Sequence, residues 1–311
     1  MILLFILFIG AVFFLYRDPK GHNRVITFSN SVAAPKATVS VMTYNIGFGA
    51  GLNNLDGVTY KKARIVENLD RIAATVKKHN PDILCVQEID VRSRRSYLVD
   101  EVDYLAHKCG FKYAAVSFTW NRYYIPFPFT IDVRRHFGKV LAAQVVFSKY
   151  PITSQTVLPL PHVMSKPLWY RFFYLYHVAQ IATIQCGEKT FDVANLHLEA
   201  FDKLAREHQA DYVVGELEDA LSDHPLIVAG DFNSIDRGET DKTLTLFNAV
   251  PFLKDTHLDS DLTYPADRPD QPLDHIFYTP KFFESVDVRR CDDAETASDH
   301  LPVYAEFKLN I

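Results

Sequence analysis

Eight short stretches rich in β-branched and aromatic residues recur along this chain, each about the length of one strand. They read "TVSVMTYNI", "PDILCVQEI", "KVLAAQVVF", "HVAQIATIQ", "TFDVANLHL", "PLIVAGDF", "LDHIFYT" and "LPVYAEFKL". Two helical patterns interrupt them. In 61–80, Val66, Leu69, Ala73 and Val76 recur at helical spacing, and Asn80-Pro81 closes the segment. In 202–221, Ala210, Val214, Leu217 and Leu221 do the same. A hairpin is expected between 178–185 and 190–198 through Gly187, which argues against a purely parallel sheet. One α/β domain of mixed sheets, residues 37–311, accounts for all of this.

Several of these runs end in a polar residue that a core has no reason to want. "VMTYNIG" delivers Asn45 and "ILCVQEID" delivers Glu88. "DVANLHLE" delivers Asn195 and His197 on one face, because side chains alternate along a strand. "LIVAGDFNSI" ends in Asp231 and Asn233, with Gly230 before them leaving room for a close approach. "PLDHIFY" opens on Asp274, and "SDHLPV" places Asp299 and His300 just before the last run. Each one alone has a bland explanation: a loop carboxylate, a packed histidine or a turn. Together they are carboxylates, amides and imidazoles without a nucleophilic Ser or Cys pattern. Oxygen donors suit Mg²⁺, and imidazoles suit proton transfer near neutral pH.

The motifs "GDFN" and terminal "SDH", with Glu88, Asn45 and "NLHLE" between the chain start and them, resemble the endonuclease/exonuclease/phosphatase superfamily. Deoxyribonuclease I, apurinic endonucleases, neutral sphingomyelinases and inositol polyphosphate 5-phosphatases belong to it. The resemblance runs from about Val39 to Phe307. It implies a four-layer sandwich, two mixed β-sheets flanked by helices, with the site at one end. It further implies a Mg²⁺ ion, with Mn²⁺ the alternative, held by Glu88 with Asn45 and Asp299. By the same resemblance His300 is the general base and Asp274 orients it. Asp231 orients the attacking water, while Asn45, Asn233 and His197 bind the phosphoryl oxygens. Asn195 is given only a supporting role.

The first sixteen residues, "MILLFILFIGAVFFLY", carry no charge. As a helix they span about 24 Å, short of a hydrocarbon core of about 30 Å. No basic region precedes them, and Arg17, Lys20 and Arg24 follow. An uncleaved hydrophobic anchor helix is expected, joined by a linker over 17–36, with the domain on the cytoplasmic side. The alternative is a secretory signal that is removed. Four cysteines lie far apart, which is neither a disulfide framework nor a zinc pattern.

The anchor and two aromatic stretches, "WNRYYIPFPF" and "PLWYRFFYLYH", point to a phospholipid membrane as partner and a lipid such as sphingomyelin as substrate. Both stretches are expected in loops, with Trp120, Tyr123, Tyr124, Trp169 and Phe172 rimming the site. A nuclease is the alternative. Its net charge of −5 gives no general pull on a nucleic-acid backbone, while Arg92, Arg94, Arg95, Arg134 and Arg135 could bind phosphates. Otherwise such scattered arginines read as solvated surface. A membrane-tethered scaffold without chemistry is the third reading, and no obligate protein partner is evident.

Overall fold

The computed structural model describes residues 22–31, 33–221, 223–235, 241–256 and 262–311. The expected anchor at 1–16 lies outside them. Among the described residues, no helix is long and apolar enough to cross a membrane.

Two sheets stack face to face. In spatial order, one holds β1 (Arg24–Thr27), β4 (Tyr113–Ile125), β5 (Gly138–Ser148), β3 (Ile83–Asp90), β2 (Thr38–Asn45), β13 (Val303–Leu309) and β12 (Phe283–Arg290). The other holds β10 (Lys254–Asp255), β11 (Asp274–Tyr278), β9 (Leu226–Asp231), β8 (Lys189–His197), β7 (Val178–Cys186) and β6 (Ile152–Pro159). Two pairs are parallel, β2 with β3 and β8 with β9. Each needs a crossover, and a long helix supplies it. Helix α1 (Lys62–His79) joins β2 to β3, and a second long helix, Lys203–Leu221, joins β8 to β9. The expected hairpin forms as β7 and β8, antiparallel across Gly187.

The first helix ends where the sequence says it should. Asn80 takes the left-handed conformation, its N–H donates to Val76 O, and Pro81 cannot continue the spiral. Its buried stripe is Ile65, Leu69, Ile72, Ala73 and Val76, with Val66 at the edge. That stripe and α2 (Glu101–Cys109) pack on Leu84, Val86 and Val145, making the outer layer of the larger sheet. A short helix, α3 (Leu168–Phe173), follows β6, and the helix at Lys203–Leu221 is α4. Helices α4 and α5 (Thr243–Asn248) cover the smaller sheet through Val213, Leu217 and Phe247. Between the sheets lie Val41, Cys85, Val146, Ile184, Val193 and Ile227. Strand alternation does this sorting: Leu84 and Val86 meet helices while Ile83 and Cys85 meet the other sheet. All four cysteines are free.

The chain contains strands that its local patterns do not announce, namely β1, β4, β6, β10 and β12. The most consequential is β4. Residues 120–125 belong to this strand and not to a loop, paired with β5 up to Ile125↔Gly138. Its far edge is covered by β1, antiparallel, with Arg24 opposite Val116 and Thr27 opposite Tyr113.

Candidate active site

Topology gathers the polar strand ends at one end of the sandwich. Asn45, His197 and Asp231 are the last residues of β2, β8 and β9. Strands β11 and β13 run antiparallel to their neighbours, so their starts fall at that same end. Asp274 therefore sits opposite Asp231, and Asp299-His300 precede β13 beside the end of β2. Glu88 arrives differently. The ladder between β3 and β5 slips between Val86 and Ile89, and Glu88 takes a positive φ of 52° within that bulge. A bulge of this kind re-aims a side chain, and a non-glycine residue holds such a backbone only when its surroundings impose it.

Gly230 shows why "GDFN" needs its glycine. Strand β9 lies so close to β8 that a Cβ here would stand 2.1 Å from Leu196 O. The glycine serves the sheet, and the turn begins only after Asp231. Asn233 then adopts φ 51°, a conformation asparagine tolerates. Its N–H donates to Asp231 Oδ1 at 2.9 Å and its Nδ2 donates to Leu198 O at 2.9 Å.

The centre is a set of buried carboxylates tied to imidazoles. His300 Nδ1 lies 2.8 Å from Asp274 Oδ2, and His300 Nε2 lies 3.6 Å from Asp231 Oδ2. Burial opposes charge on His300, but Asp274 and Asp231 outweigh it and hold its pKa well above the ordinary value. His197 Nε2 stands 3.7 Å from Asp231 and 3.8 Å from Glu88. There burial wins over the two carboxylates, and the pKa of His197 lies below the usual imidazole value. Asn45 Nδ2 donates to Asp231 Oδ2 at 2.9 Å and to Glu88 Oε1 at 3.3 Å, bridging the two sheets' acids. Its Oδ1 accepts from Gly47 N. In this arrangement the amide holds carboxylates in place and leaves one oxygen lone pair over.

The donor set fits a hard divalent cation. Burial, with Glu88 nearby, raises the Asp299 carboxyl to about 6, despite the opposing charge of His300. Acids crowded this way favour a bound positive charge, and Glu88 and Asp299 offer the oxygens that Mg²⁺ prefers. Atoms of Asp231, Asp274 and His300 also lie within 4.8 Å of one another. A cation among those three would have to displace the short His300–Asp274 hydrogen bond, so Glu88 and Asp299 form the better seat.

Residues that the sequence does not single out complete the site. Asn54 donates to Asp299 Oδ2 at 2.7 Å from a 3-10 turn, a position without any local signal. Behind His197, His177 bonds His197 O through Nδ1 and Glu199 through Nε2. Asn195 does not reach the site. It is buried one step deeper, where Gln87 of the opposite sheet donates to its Oδ1.

A buried His–Asp pair facing an acid-lined cation seat, at one end of a two-sheet sandwich, defines a hydrolase of phosphate esters. The sequence profile of the Endonuclease/Exonuclease/phosphatase family matches residues 42–300, and the chain belongs to that family. Its members hydrolyse phosphoesters and mostly use divalent metal ions. Among curated proteins none matches the sequence. Solved structures share the fold. An endonuclease/exonuclease/phosphatase from Beutenbergia cavernae superposes with a TM-score of 0.63 at 20% identity, covering 88% of this chain and 72% of that one. The human Nocturnin catalytic domain, with a bound sulfate anion, gives 0.63 at 21%, covering 94% and 100%. A mannosyl-6-phosphatase of Bacteroides thetaiotaomicron gives 0.59 at 19%, covering 86% and 99%.

Proposed function

We propose that the chain is a membrane-associated phosphodiesterase that hydrolyses a phospholipid such as sphingomyelin with Mg²⁺, Mn²⁺ being the alternative ion. One observation carries the lipid reading. A cavity of about 640 Å³ opens beside Glu88, His197, Asp231 and His300, and its wall away from them is aromatic. Trp120, Phe127, Phe129, Phe137, Tyr170 and Phe173 line it. Such a wall suits an apolar body. The rim continues it: Phe129 and Trp169 are half exposed, with ring centroids 6.1 Å apart, and Leu168 and Ile131 stand free beside them in sequence. Trp120 is not part of that rim. Its Nε1 donates to Phe173 O and its ring meets Phe137 inside the wall.

The nuclease alternative needs free cations near the site, and most of the expected arginines are engaged. Arg92 pairs with Asp100, Arg134 with Asp132, Arg94 with His136 O and Arg135 with Asp56 O. Arg95 is not surface at all, being 3% exposed.

In this reading Glu88 and Asp299 hold the cation, with Asn45 fixing Glu88 against Asp231. The ion would neutralise charge gathering on the phosphoryl oxygens. In the neutral imidazole, His300 Nε2 takes the proton of the attacking water, since Nδ1 is committed to Asp274. Asp274 and Asp231 stabilise the imidazolium so formed, and Asp231 orients the water. Asn233 keeps one amide N–H for a phosphoryl oxygen, and His197 faces the same centre and assists the leaving oxygen. Positioning and charge neutralisation account for most of the rate.

The test is a direct comparison. Full-length protein in detergent with Mg²⁺ should release phosphocholine from sphingomyelin and leave supercoiled plasmid intact. Plasmid nicking without phosphocholine release would replace the lipid reading by the nuclease one, and neither activity would favour the scaffold.

A further inference from the structure

Arg95 is a cation where none is needed for the chemistry just described. It is buried beneath the aromatic wall, lines the same cavity, and is clamped by Asp90. Its Nε and Nη2 donate to the two Asp90 oxygens at 2.9 to 3.3 Å. The guanidinium lies 3.7 Å from the Phe48 ring centre, with Phe137 at 4.8 Å and Trp120 at 5.3 Å. Carboxylate and rings together fix its plane. Its Nη1 makes no hydrogen bond to the protein and is open to the cavity. A group that is held rigidly, faces a cavity and lacks an acceptor is built to receive one.

The acceptor's chemistry follows from the surroundings. Asp90 already neutralises the guanidinium, Glu88 and Glu101 add negative charge nearby, and its other close contacts are rings. A second phosphate would bring a full negative charge into an apolar box with nothing left to balance it. A neutral oxygen carries no such penalty. We propose that Arg95 is a specificity-determining residue whose Nη1 hydrogen-bonds a carbonyl oxygen, ester or amide, on the apolar portion of the substrate. The substrate class is then an acylated phosphodiester, its phosphate at Glu88 and His300 and its acyl carbonyl against Arg95. This rests on the lipid reading of the site and narrows it.

The experiment uses two lipids that differ by one oxygen. 1-Acyl- and 1-O-alkyl-lysophosphatidylcholine of equal chain length are presented in identical detergent micelles to the full-length protein. One hydrogen bond predicts a preference for the acyl lipid of about tenfold in kcat/KM, most of it in KM. Arg95→Lys keeps a positive charge opposite Asp90 but loses the planar fork, and the preference should fall below about twofold. Arg95→Gln, accepted only if its melting temperature stays near that of the parent, should do the same. Equal cleavage of both lipids by the unmodified protein, or a preference that survives both substitutions, overturns the role of Arg95 and leaves the lipid reading standing. Release from neither lipid, together with plasmid nicking, removes both.

Discussion

Gln87 Nε2 and Asn195 Oδ1 stand 2.7 Å apart, one on each sheet, one step below the strand ends that carry the site. Asn195 also donates to Val86 O, Val145 O and Gln180 Oε1, so a single amide joins three partners of the opposite sheet and one of its own. Replacing it by Leu keeps the volume and orphans those groups. Each buried orphan costs about 1–3 kcal/mol, so a total loss of about 3 kcal/mol or more is expected in urea unfolding. A loss under about 1 kcal/mol would show that the network is incidental.

His300 and Asp274 should behave as one unit. His300→Ala is expected to lower kcat by about 10²–10⁴, the usual worth of a positioned base. The double variant His300→Ala/Asp274→Asn should be hardly worse, because Asp274 acts through the imidazole. Steady-state kinetics on His300→Ala, Asp274→Asn and the double variant decides it, and fully multiplicative losses would assign Asp274 a separate task.

Glu88→Gln retains shape and removes the charge offered to the cation. A rate loss of at least about 10², some 2.7 kcal/mol of barrier, is expected, with part of it regained at high Mg²⁺. Titrating Mg²⁺ against rate for both proteins tests this. Activity indifferent to both chelator and substitution takes the ion out of the reaction.

Glu199 makes stability depend on acid. Burial pushes its pKa up, but His177, the Phe201 N–H and Tyr174 outweigh that and leave it below the ordinary 4.5. The folded state therefore binds this proton less readily than the unfolded chain. Its contribution is fully present above the ordinary carboxylate range and is lost as pH falls through the depressed folded value. Glu199→Gln should lower the melting temperature at pH 7 and narrow its gap to the parent progressively below about pH 4.5. A gap of constant size across that range would falsify this assignment.

Trp169 and Trp120 offer a contrast between rim and wall. Trp169→Ala should weaken binding to sphingomyelin-containing vesicles by roughly 1–3 kcal/mol and leave the melting temperature nearly unchanged. Trp120→Ala should lower the melting temperature by several degrees, because it removes a packed ring and the bond to Phe173 O. Flotation and calorimetry on the two variants read both effects, and the reverse pattern would place the membrane face elsewhere.

The site's principal side chains are legible in the sequence for a simple reason. Each ends or begins a short apolar run, and an apolar run that stops at Asp231 or Asp274 announces a boundary without knowing the sheet. What escapes are the features that depend on partners far along the chain. Strand β4 beyond Trp120 contains Asn121 and Arg122 and is a strand because β5 pairs with it. Arg95 is one of three arginines within four residues that read as solvated surface, and only Asp90 and three rings explain its burial. The positive φ of Glu88 comes from the bulge against β5, and no local residue pattern encodes it. Asn54 and His177 likewise gain their meaning from Asp299 and Glu199.

The direction of β1 brings the start of the described chain alongside β4. Asn23 Oδ1 accepts from Phe118 N, Arg24 stacks over the Phe118 ring, and Thr27 reaches Tyr113. Followed backward from Thr27 to His22, the chain climbs beside β4 toward Trp120 and Ile125, which line the cavity. A tether continuing in that direction would hold the mouth toward the surface it enters, and one leaving from the Tyr113 end would set it back by the 13-residue length of β4, roughly 40 Å. Under the proposed lipid function with such a tether, capture would become an encounter within one tethered assembly, governed by local concentration at the bilayer and not by diffusion through bulk solution.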